Sequence, residues 1–600
     1  MIKQTGNRDN DYSFDEYLYV RDHFNYYRDD PFFQALVKKH AGDDYNEIHQ
    51  ALEALSDKAS FYYRDLAAEG GTIENRVKIT KLKHYDAYNH RIDRLDRSSE
   101  TVALEKEVLG LGLFDPKMNT PWSRFVKCFL LYQNSEAGVM CGFGGTHGLI
   151  ALMEKYEQSG TLSPEAIEAL AHCREGRDYK GEHEYASAGQ YMSEIQGGSD
   201  VGANQVEAEF IEEEGKDGKA GVWRIYGKKF FCSATQSQYT FLTAKPKNTD
   251  SDTQVATFLV PAWLPENREK EIRNGYTIDR LKSKLGLSEL PTAEITFNGA
   301  VAYPVGPLKD GMANIVGVVL ALSRFHVAFG TAAGMLRMYR EASLYAQFRK
   351  AFTLPIAQFP MMANQLHDLE ITAKRTSAGC FKLYDEARDL NEKLAAGLKE
   401  LEAIADLSHR RRLYRLREMI LLQKIVVAHD GPTFTRQAIS TFGGHGIMED
   451  FSAFPRLMRD GLIQELWEGP RNVLLTQIHR DFGRVKEWYP AADFVRDILI
   501  GAPENVIEPL AKRFQKVIDH PHLMMNDQKT RDICREWEQL SAHMVHAYQD
   551  QALIELNFQE KAETFSQLKK KFKNRNTDQT TDYTAKPITT NAPEKETEEA

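Results

Sequence analysis

The chain is poor in the features that assign a function quickly. Its 600 residues include only six cysteines, at positions 128, 141, 173, 232, 380 and 534, and no two of them form a CxxC. That scatter argues against a zinc ribbon or a thioredoxin-like redox pair, so no metal site is expected. HExxH and GxxxxGK[ST] are both missing, which removes the zincins and the P-loop nucleotidases. Basic residues are not in excess. Against 86 Asp and Glu stand 76 Lys and Arg, a net charge of −10, which gives no overall pull toward nucleic acid or anionic lipid. Long apolar runs are also missing. GVMCGFGGTHGLIALM, starting at Gly138, is broken by glycines and a histidine and makes a poor spanning helix. The N-terminus, MIKQTGNRDNDYSFDEY, lacks the apolar core of a signal peptide. These absences predict a soluble, cytoplasmic protein with reduced core cysteines and no integral membrane segment.

What the chain does have is a change of texture, twice. With 42% hydrophobic and 27% charged residues it is ordinary globular material, long enough for several domains. From Tyr17 to about Lys180, segments such as EIHQALEALSDKASFYYRDLA and PWSRFVKCFLLYQ carry apolar residues at helical spacing. From about Tyr185, runs such as VWRIYGKKFFCSA, TQVATFLVPAW and AEITFNGAVAYP alternate between Gly, Asn and Asp turns. Beyond Met312 long amphipathic helices return. The predicted organisation is an α+β multidomain chain. It has an N-terminal helical domain (1–184), a middle antiparallel, barrel-like β domain (185–306) and a C-terminal four-helix bundle (307–482). An additional helical segment (483–567) and a polar, Thr-rich disordered tail (568–600) follow.

Two stretches invite a reading that their context does not support. GFGGTHG (Gly142–Gly148) superficially matches a dinucleotide fingerprint. It has neither a preceding alternating strand nor a suitably placed acidic residue, and is rejected as a Rossmann signal. The basic run HRRRLYRLRE (His409–Glu418) reads more simply as a charged helix surface than as a nucleic-acid contact.

Three motifs carry the chemistry. YMSEIQGGSDVGANQ (Tyr191–Gln205) is a strand leaving into a Gly-rich loop, whose backbone N–H groups and short hydroxyls suit a ring edge or a phosphate. IYGKKFFCSA (Ile225–Ala234) is a strand with an aromatic residue and a hydroxyl. TFGGHGIMEDFSAFPRLMRD (Thr441–Asp460) is followed closely by LWEGP, with Glu468 between an apolar Leu-Trp flank and a glycine. An apolar flank that keeps water away raises a carboxylate's pKa toward the range of a general base.

The order and content of these motifs resemble the acyl-CoA dehydrogenase family, over roughly Leu104 to Phe482. The resemblance implies an FAD enzyme that converts a fatty-acyl-CoA to its trans-2-enoyl-CoA in fatty acid β-oxidation. It implies Glu468 as the base, with the thioester carbonyl bonded by the Glu468 N–H and by a flavin ribityl hydroxyl. Met192 and Ser193 would face the flavin, with Gly198 and Ser199 on its phosphate side or near the acyl-CoA. Phe231 would pack on the flavin and Ser233 would bond near its N5. Ser199, Arg324 and Gly469 are the implied substrate contacts. Arg349, followed by Phe352, resembles an arginine that grips the FAD pyrophosphate of a neighbouring subunit, and Gly443–Gly444 a loop that touches the same FAD. A homodimer or homotetramer is therefore implied, with an electron-transfer flavoprotein as the acceptor. The chain departs from the family pattern in Phe231 for Trp, FTLP for FGKP, Ser440 for Gln and Pro470 for Thr or Ser. Arg459 and Asp460 are expected to make structural contacts, and Arg337 and Arg340 to lie on a solvated helix face. The long C-terminal extension also resembles the AidB-like branch, which is linked to DNA binding in alkylation response. That alternative would rest on local basic patches at Arg410–Arg417 and Lys569–Lys573.

Overall fold

The computed structural model describes residues 12–72, 80–134, 137–176, 186–211, 221–247, 255–390, 398–559 and 563–578. By its internal packing the chain falls into two units. One is Phe24–Glu560, and the other joins Met1–His23 to Lys561–Ala600.

The larger unit begins with helices such as Pro31–Ala41, Tyr45–Asp57 and Pro121–Tyr132, several started by a side-chain cap. The Asp30 carboxylate accepts from Phe33 N, and Thr120 Oγ1 accepts from Ser123 N, so each helix start satisfies a donor that has no intrahelical partner. The expectation of an all-helical N-terminal segment needs one correction. Strands β1 (Lys81–Tyr85) and β2 (Arg91–Asp96) form an antiparallel hairpin there. KLKHY and RIDRLD alternate at period two around a YNH turn, and a strand pattern that short is easily read as part of a helix. Asp93 ties the hairpin down, accepting from Ile278 N at 2.9 Å. The GFGGTHG stretch lies inside helix Ala137–Glu157, a placement that fits no dinucleotide loop.

The middle region is a closed sheet. Its strands are β3 (Ala188–Tyr191), β4 (Glu207–Phe210), β5 (Trp223–Ser233), β6 (Tyr239–Pro246), β7 (Ala256–Pro261), β8 (Tyr276–Leu281) and β9 (Thr292–Pro304). Pairing runs β6–β4–β5–β9–β7 and back to β6, with β3 added to β6 and β8 to β9. The sheet is not wholly antiparallel as expected, because β6 pairs in parallel with both β3 and β4. Inward residues such as Trp223, Ile225, Phe258 and Ile295 fill its core.

Beyond Pro304 come the long helices Leu320–Phe348, Pro360–Asp389 and Leu407–Thr441, then the shorter Phe454–Gln464. Between the first two sits a small hairpin of β10 (Lys350–Ala351) and β11 (Leu354–Pro355). Among the described residues one stretch, 308–348, is long and apolar enough to cross a membrane. However, 72% of its most apolar window is buried inside the fold, the mark of a core helix. Arg337 and Arg340 on it are not solvated as expected but buried. Arg337 Nε donates to Glu341 at 2.7 Å and Arg340 Nη2 to Asp30 at 2.7 Å. Helix Arg471–Val485 runs across the expected boundary at 482, and three further helices follow, ending with Gln528–Leu556.

In the smaller unit, residues 568–578 of the expected disordered tail belong to a helix, Phe565–Asp578. Phe565, Leu568 and Phe572 recur at helical spacing and are buried, which outweighs the lysine-rich composition. Residues 579–600 lie outside the described residues.

Candidate functional site

Glu468 sits on a turn between helices Phe454–Gln464 and Arg471–Val485. Its backbone is left-handed, at φ +59°, and that of Gly469 is at +99°. A non-glycine residue held there stores about 1–3 kcal/mol of strain, so neighbours must hold it in place. Two buried cations do so through backbone oxygens. Arg324 Nε donates to the Glu468 carbonyl at 3.0 Å. Lys424 Nζ donates to the Gly469 carbonyl at 2.8 Å and to that of Glu465 at 3.3 Å. A Cβ at Gly469 would lie 2.7 Å from Leu474 Cδ2, so that side chain would have to shift, and the positive φ itself favours glycine.

The Glu468 side chain faces strand β3, where Gln190 Nε2 donates to its Oε1 at 2.8 Å. Burial raises the Glu468 pKa. The charges of Arg324 and Lys424 and the Gln190 bond oppose that rise without cancelling it. The cations respond in the opposite direction. Burial brings Lys424 down to about 8 and Arg324 down to about 10. The result is a carboxylate shifted toward base strength on a turn fixed from behind.

Lys424 is therefore expected to set the pH dependence of any reaction that uses Glu468 as base. The base works deprotonated, so activity rises as pH climbs through its raised pKa. Lys424→Met removes a cation that pulls this pKa down, and should move the acid limb of a kcat/KM profile to higher pH. Lys424→Arg should restore it. An unmoved limb in Lys424→Met would rule out this electrostatic role.

The glycine-rich loop after β3 is pinned from beneath by residues that sequence reasoning passed over. Lys229, fully buried on β5, donates to Glu194 Oε1 at 2.9 Å and to the Met192 carbonyl at 3.3 Å. Asn204 Nδ2 also bonds the Met192 carbonyl, at 2.7 Å. Burial alone would raise the Glu194 carboxyl. The Lys229 charge and bonds from Gln205 and Gln196 outweigh that and hold it below the usual range. Phe230 N donates to the Ser193 carbonyl at 3.0 Å, which joins the loop to the strand carrying Phe231 and Ser233. Gly198 and Ser199 lie exposed on the same loop. Phe231 is 52% exposed, with Lys282 Nζ 4.8 Å from its ring centre. Ser233 Oγ lies 3.0 Å from Thr292 Oγ1. A half-exposed ring beside a pinned, glycine-containing loop is a surface that a flat, phosphate-bearing cofactor would cover. The residues present fit FAD on that ground.

The remaining expected residues lie elsewhere. Arg349 follows the last turn of the 29-residue helix Leu320–Phe348, and Phe352 is at the tip of the β10–β11 hairpin, 90% exposed. Tyr345, one turn before Arg349, stacks on Phe442 at 4.3 Å, next to Gly443 and Gly444. A Cβ at either glycine would meet nothing within 4 Å. Arg324 lies near the other end of the same helix. At 1.5 Å per residue the two arginines are roughly 35–40 Å apart. The chain thus carries two groups of residues, one around Glu468 with Arg324 and Gly469, the other around Arg349, Phe352 and Gly443–Gly444. Asp460 has the structural role expected, accepting from Leu287 N at 2.8 Å, and Arg459 pairs with Glu449.

Comparison with known proteins agrees with this geometry. Residues 189–300 match the pattern described as "Acyl-CoA dehydrogenase, middle domain". Residues 309–482 match "Acyl-CoA dehydrogenase, C-terminal domain". Acyl-CoA dehydrogenase family member 11 of Caenorhabditis elegans is 26% identical over 518 residues, 82% of this chain and 78% of the relative. Putative acyl-CoA dehydrogenase AidB of Escherichia coli is 28% identical over 471 residues, 76% of this chain and 77% of AidB. Among solved structures, the Bd2924 apo-form superposes with a TM-score of 0.73 at 23% identity, covering 89% of this chain and 98% of that one. Caenorhabditis elegans ACDH-11 in complex with C11-CoA gives 0.69 at 21% identity, covering 94% and 96%. Residues 189–300 and 309–482 thus carry the middle and C-terminal domains of the acyl-CoA dehydrogenases, a family of oxidoreductases.

Proposed function

We propose that the chain is an FAD-dependent acyl-CoA dehydrogenase that oxidises the Cα–Cβ bond of a fatty-acyl thioester, as in β-oxidation. The single observation carrying this reading is Glu468, a carboxylate raised in pKa on a left-handed turn that Arg324 and Lys424 clamp through its carbonyls. The Met192–Ser193 turn, Phe231 and Ser233 would hold FAD. When bound it would supply the two-electron acceptor for the hydrogen leaving Cβ. Glu468 takes the proton from Cα. Its Oε1 is engaged by Gln190, which leaves Oε2 to receive the proton. The Glu468 N–H donates to the thioester carbonyl, where negative charge develops. Leu466 of the expected apolar flank is exposed, but Trp467, Met140 and Val327 line the pocket with Glu468 and would keep the carboxylate poorly solvated and basic. An electron-transfer flavoprotein is the proposed acceptor that restores the oxidised state.

The separation between Arg324 and Arg349 supports a homo-oligomer in which Arg349 and Gly443–Gly444 of one protomer reach the FAD of another. Arg349→Ala should lower both the oligomeric mass in light scattering and the FAD retained through gel filtration. A wild-type protein that is monomeric at micromolar concentration with FAD fully bound would contradict this.

The DNA-binding alternative has less support. Four of the five arginines of the basic run are committed within the fold. Arg410 donates to the Ile404 carbonyl, Arg411 to the Trp488 carbonyl, Arg415 to Glu386 and Arg417 to Asp481. Lys569 pairs with Glu16 and Lys571 with Glu563. One experiment separates the readings. Purified protein should be yellow, release FAD on heating and bleach anaerobically with at least one acyl-CoA, without binding duplex DNA at physiological salt. A colourless protein that takes up no FAD would sink the proposal. Submicromolar, salt-sensitive DNA binding by a protein inert to every acyl-CoA would favour the alternative.

A further inference from the structure

We propose that the pocket beside Glu468 selects a short acyl group carrying a hydroxyl within a few carbons of the thioester. This rests on the dehydrogenase reading above and adds the class of substrate.

The pocket is lined by Glu468, Gln190 and Ser323 together with the apolar Met140, Val327 and Trp467, and its volume is about 50 Å³. An apolar cavity of about 150 Å³ accommodates a benzene molecule. A third of that takes two or three carbon-sized atoms beyond the base, too little for a long alkyl chain.

Two unpartnered polar groups interrupt a lining that is otherwise mainly apolar. Ser323 is 6% exposed, and its hydroxyl has no hydrogen-bond partner among the described residues. Gln190 is oriented by its bond to Glu468, which leaves its Oε1 buried and equally unpartnered. Deeper in the wall, Tyr132 Oη is 2.9 Å from His326 Nδ1, and His326 Nε2 is 2.9 Å from His147 Nδ1. Burial and the nearby Arg124 charge push His326 down to about 3, and His147 is lowered too, so this wall is polar but uncharged. Buried polar atoms left unsatisfied cost free energy, and a methyl end would leave them so. A hydroxyl both donates and accepts, and can satisfy Ser323 and Gln190 together. A carboxylate would not suit the site. It would face Glu468, and the nearest cations, Arg324 and Lys424, are committed to backbone carbonyls. A site built to bond a hydroxyl rejects the analogue that lacks it more strongly than an apolar pocket rejects an extra group.

The test measures binding and reaction separately. Calorimetry on protein whose FAD has been reduced beforehand, which binds without turnover and keeps Glu468, would compare 4-hydroxybutyryl-CoA, butyryl-CoA and dodecanoyl-CoA. Anaerobic bleaching of the wild type would use the same three. We expect 4-hydroxybutyryl-CoA to bind at least ~10-fold more tightly than butyryl-CoA, and dodecanoyl-CoA to bind most weakly and bleach least. In the same reduced state, Ser323→Ala should bring the two C4 ligands within twofold, whereas Ser323→Thr, which keeps the hydroxyl, should preserve the preference. Tightest binding of dodecanoyl-CoA, or an unchanged preference in Ser323→Ala, would overturn the inference while the dehydrogenase reading survives. Absence of bleaching and binding with all three would overturn both.

Discussion

Glu468→Gln should keep its FAD and lose its reaction. The amide has the shape of the carboxylate and can still accept from Gln190 Nε2, but it cannot take the α-proton. General-base catalysis is worth about 100- to 10,000-fold, so stopped-flow bleaching by a good acyl-CoA should slow by that factor. The visible flavin spectrum and the thermal midpoint should barely move, because the clamps from Arg324 and Lys424 grip backbone carbonyls and not the side chain. Bleaching at the wild-type rate would place the base elsewhere.

Lys229→Met should damage the middle domain more than any surface change. Lys229 and Glu194 are an almost fully buried ion pair at 2.9 Å. Removing one partner of such a pair leaves an uncompensated buried charge, a loss of about 3–5 kcal/mol. The same lysine holds the Met192 carbonyl, so the loop expected to meet FAD should loosen with it. Denaturant unfolding should show the lower stability, and gel filtration the loss of flavin. The double variant Lys229→Met/Glu194→Leu should recover part of the stability, since replacing both charges with apolar groups is often neutral. The pH dependence follows from the lowered Glu194 pKa. Its contribution is present above the ordinary carboxylate range and is lost as pH falls through the depressed folded value. Acid should therefore destabilise the wild type more than the double variant. Equal acid sensitivity would contradict the pairing.

The helix–sheet–helix order was legible because periodicity changes twice along the chain, and Glu468 because an acidic residue between an apolar flank and a glycine is conspicuous. The β1–β2 hairpin was missed because its period-two alternation runs over only five and six residues. The helix at Phe565–Asp578 was missed because composition hid three apolar residues at helical spacing. The site's supporting residues are distant in sequence from what they support. Gln190 and Glu468 are 278 residues apart, and neither strand nor turn announces the other. Lys229 did leave a signal, as a lysine at an inward position of an alternating strand, but only the fold supplies Glu194 beneath it. His147 stood inside GFGGTHG, a stretch weighed as a spanning helix and as a nucleotide loop but not for its histidine. Its place in a buried polar chain depends on His326, contributed by another helix.

The central claim is that Glu468 removes a proton from the α-carbon of a bound acyl thioester, and exchange of that proton with solvent tests it most directly. The FAD-loaded protein would be incubated anaerobically in deuterated water with an acyl-CoA, and deuterium at the α-carbon followed by mass spectrometry. The account predicts rapid α-exchange by the wild type, faster as pH rises through the raised Glu468 pKa, and almost none by Glu468→Gln with FAD still bound. Equal exchange by the two proteins would contradict it.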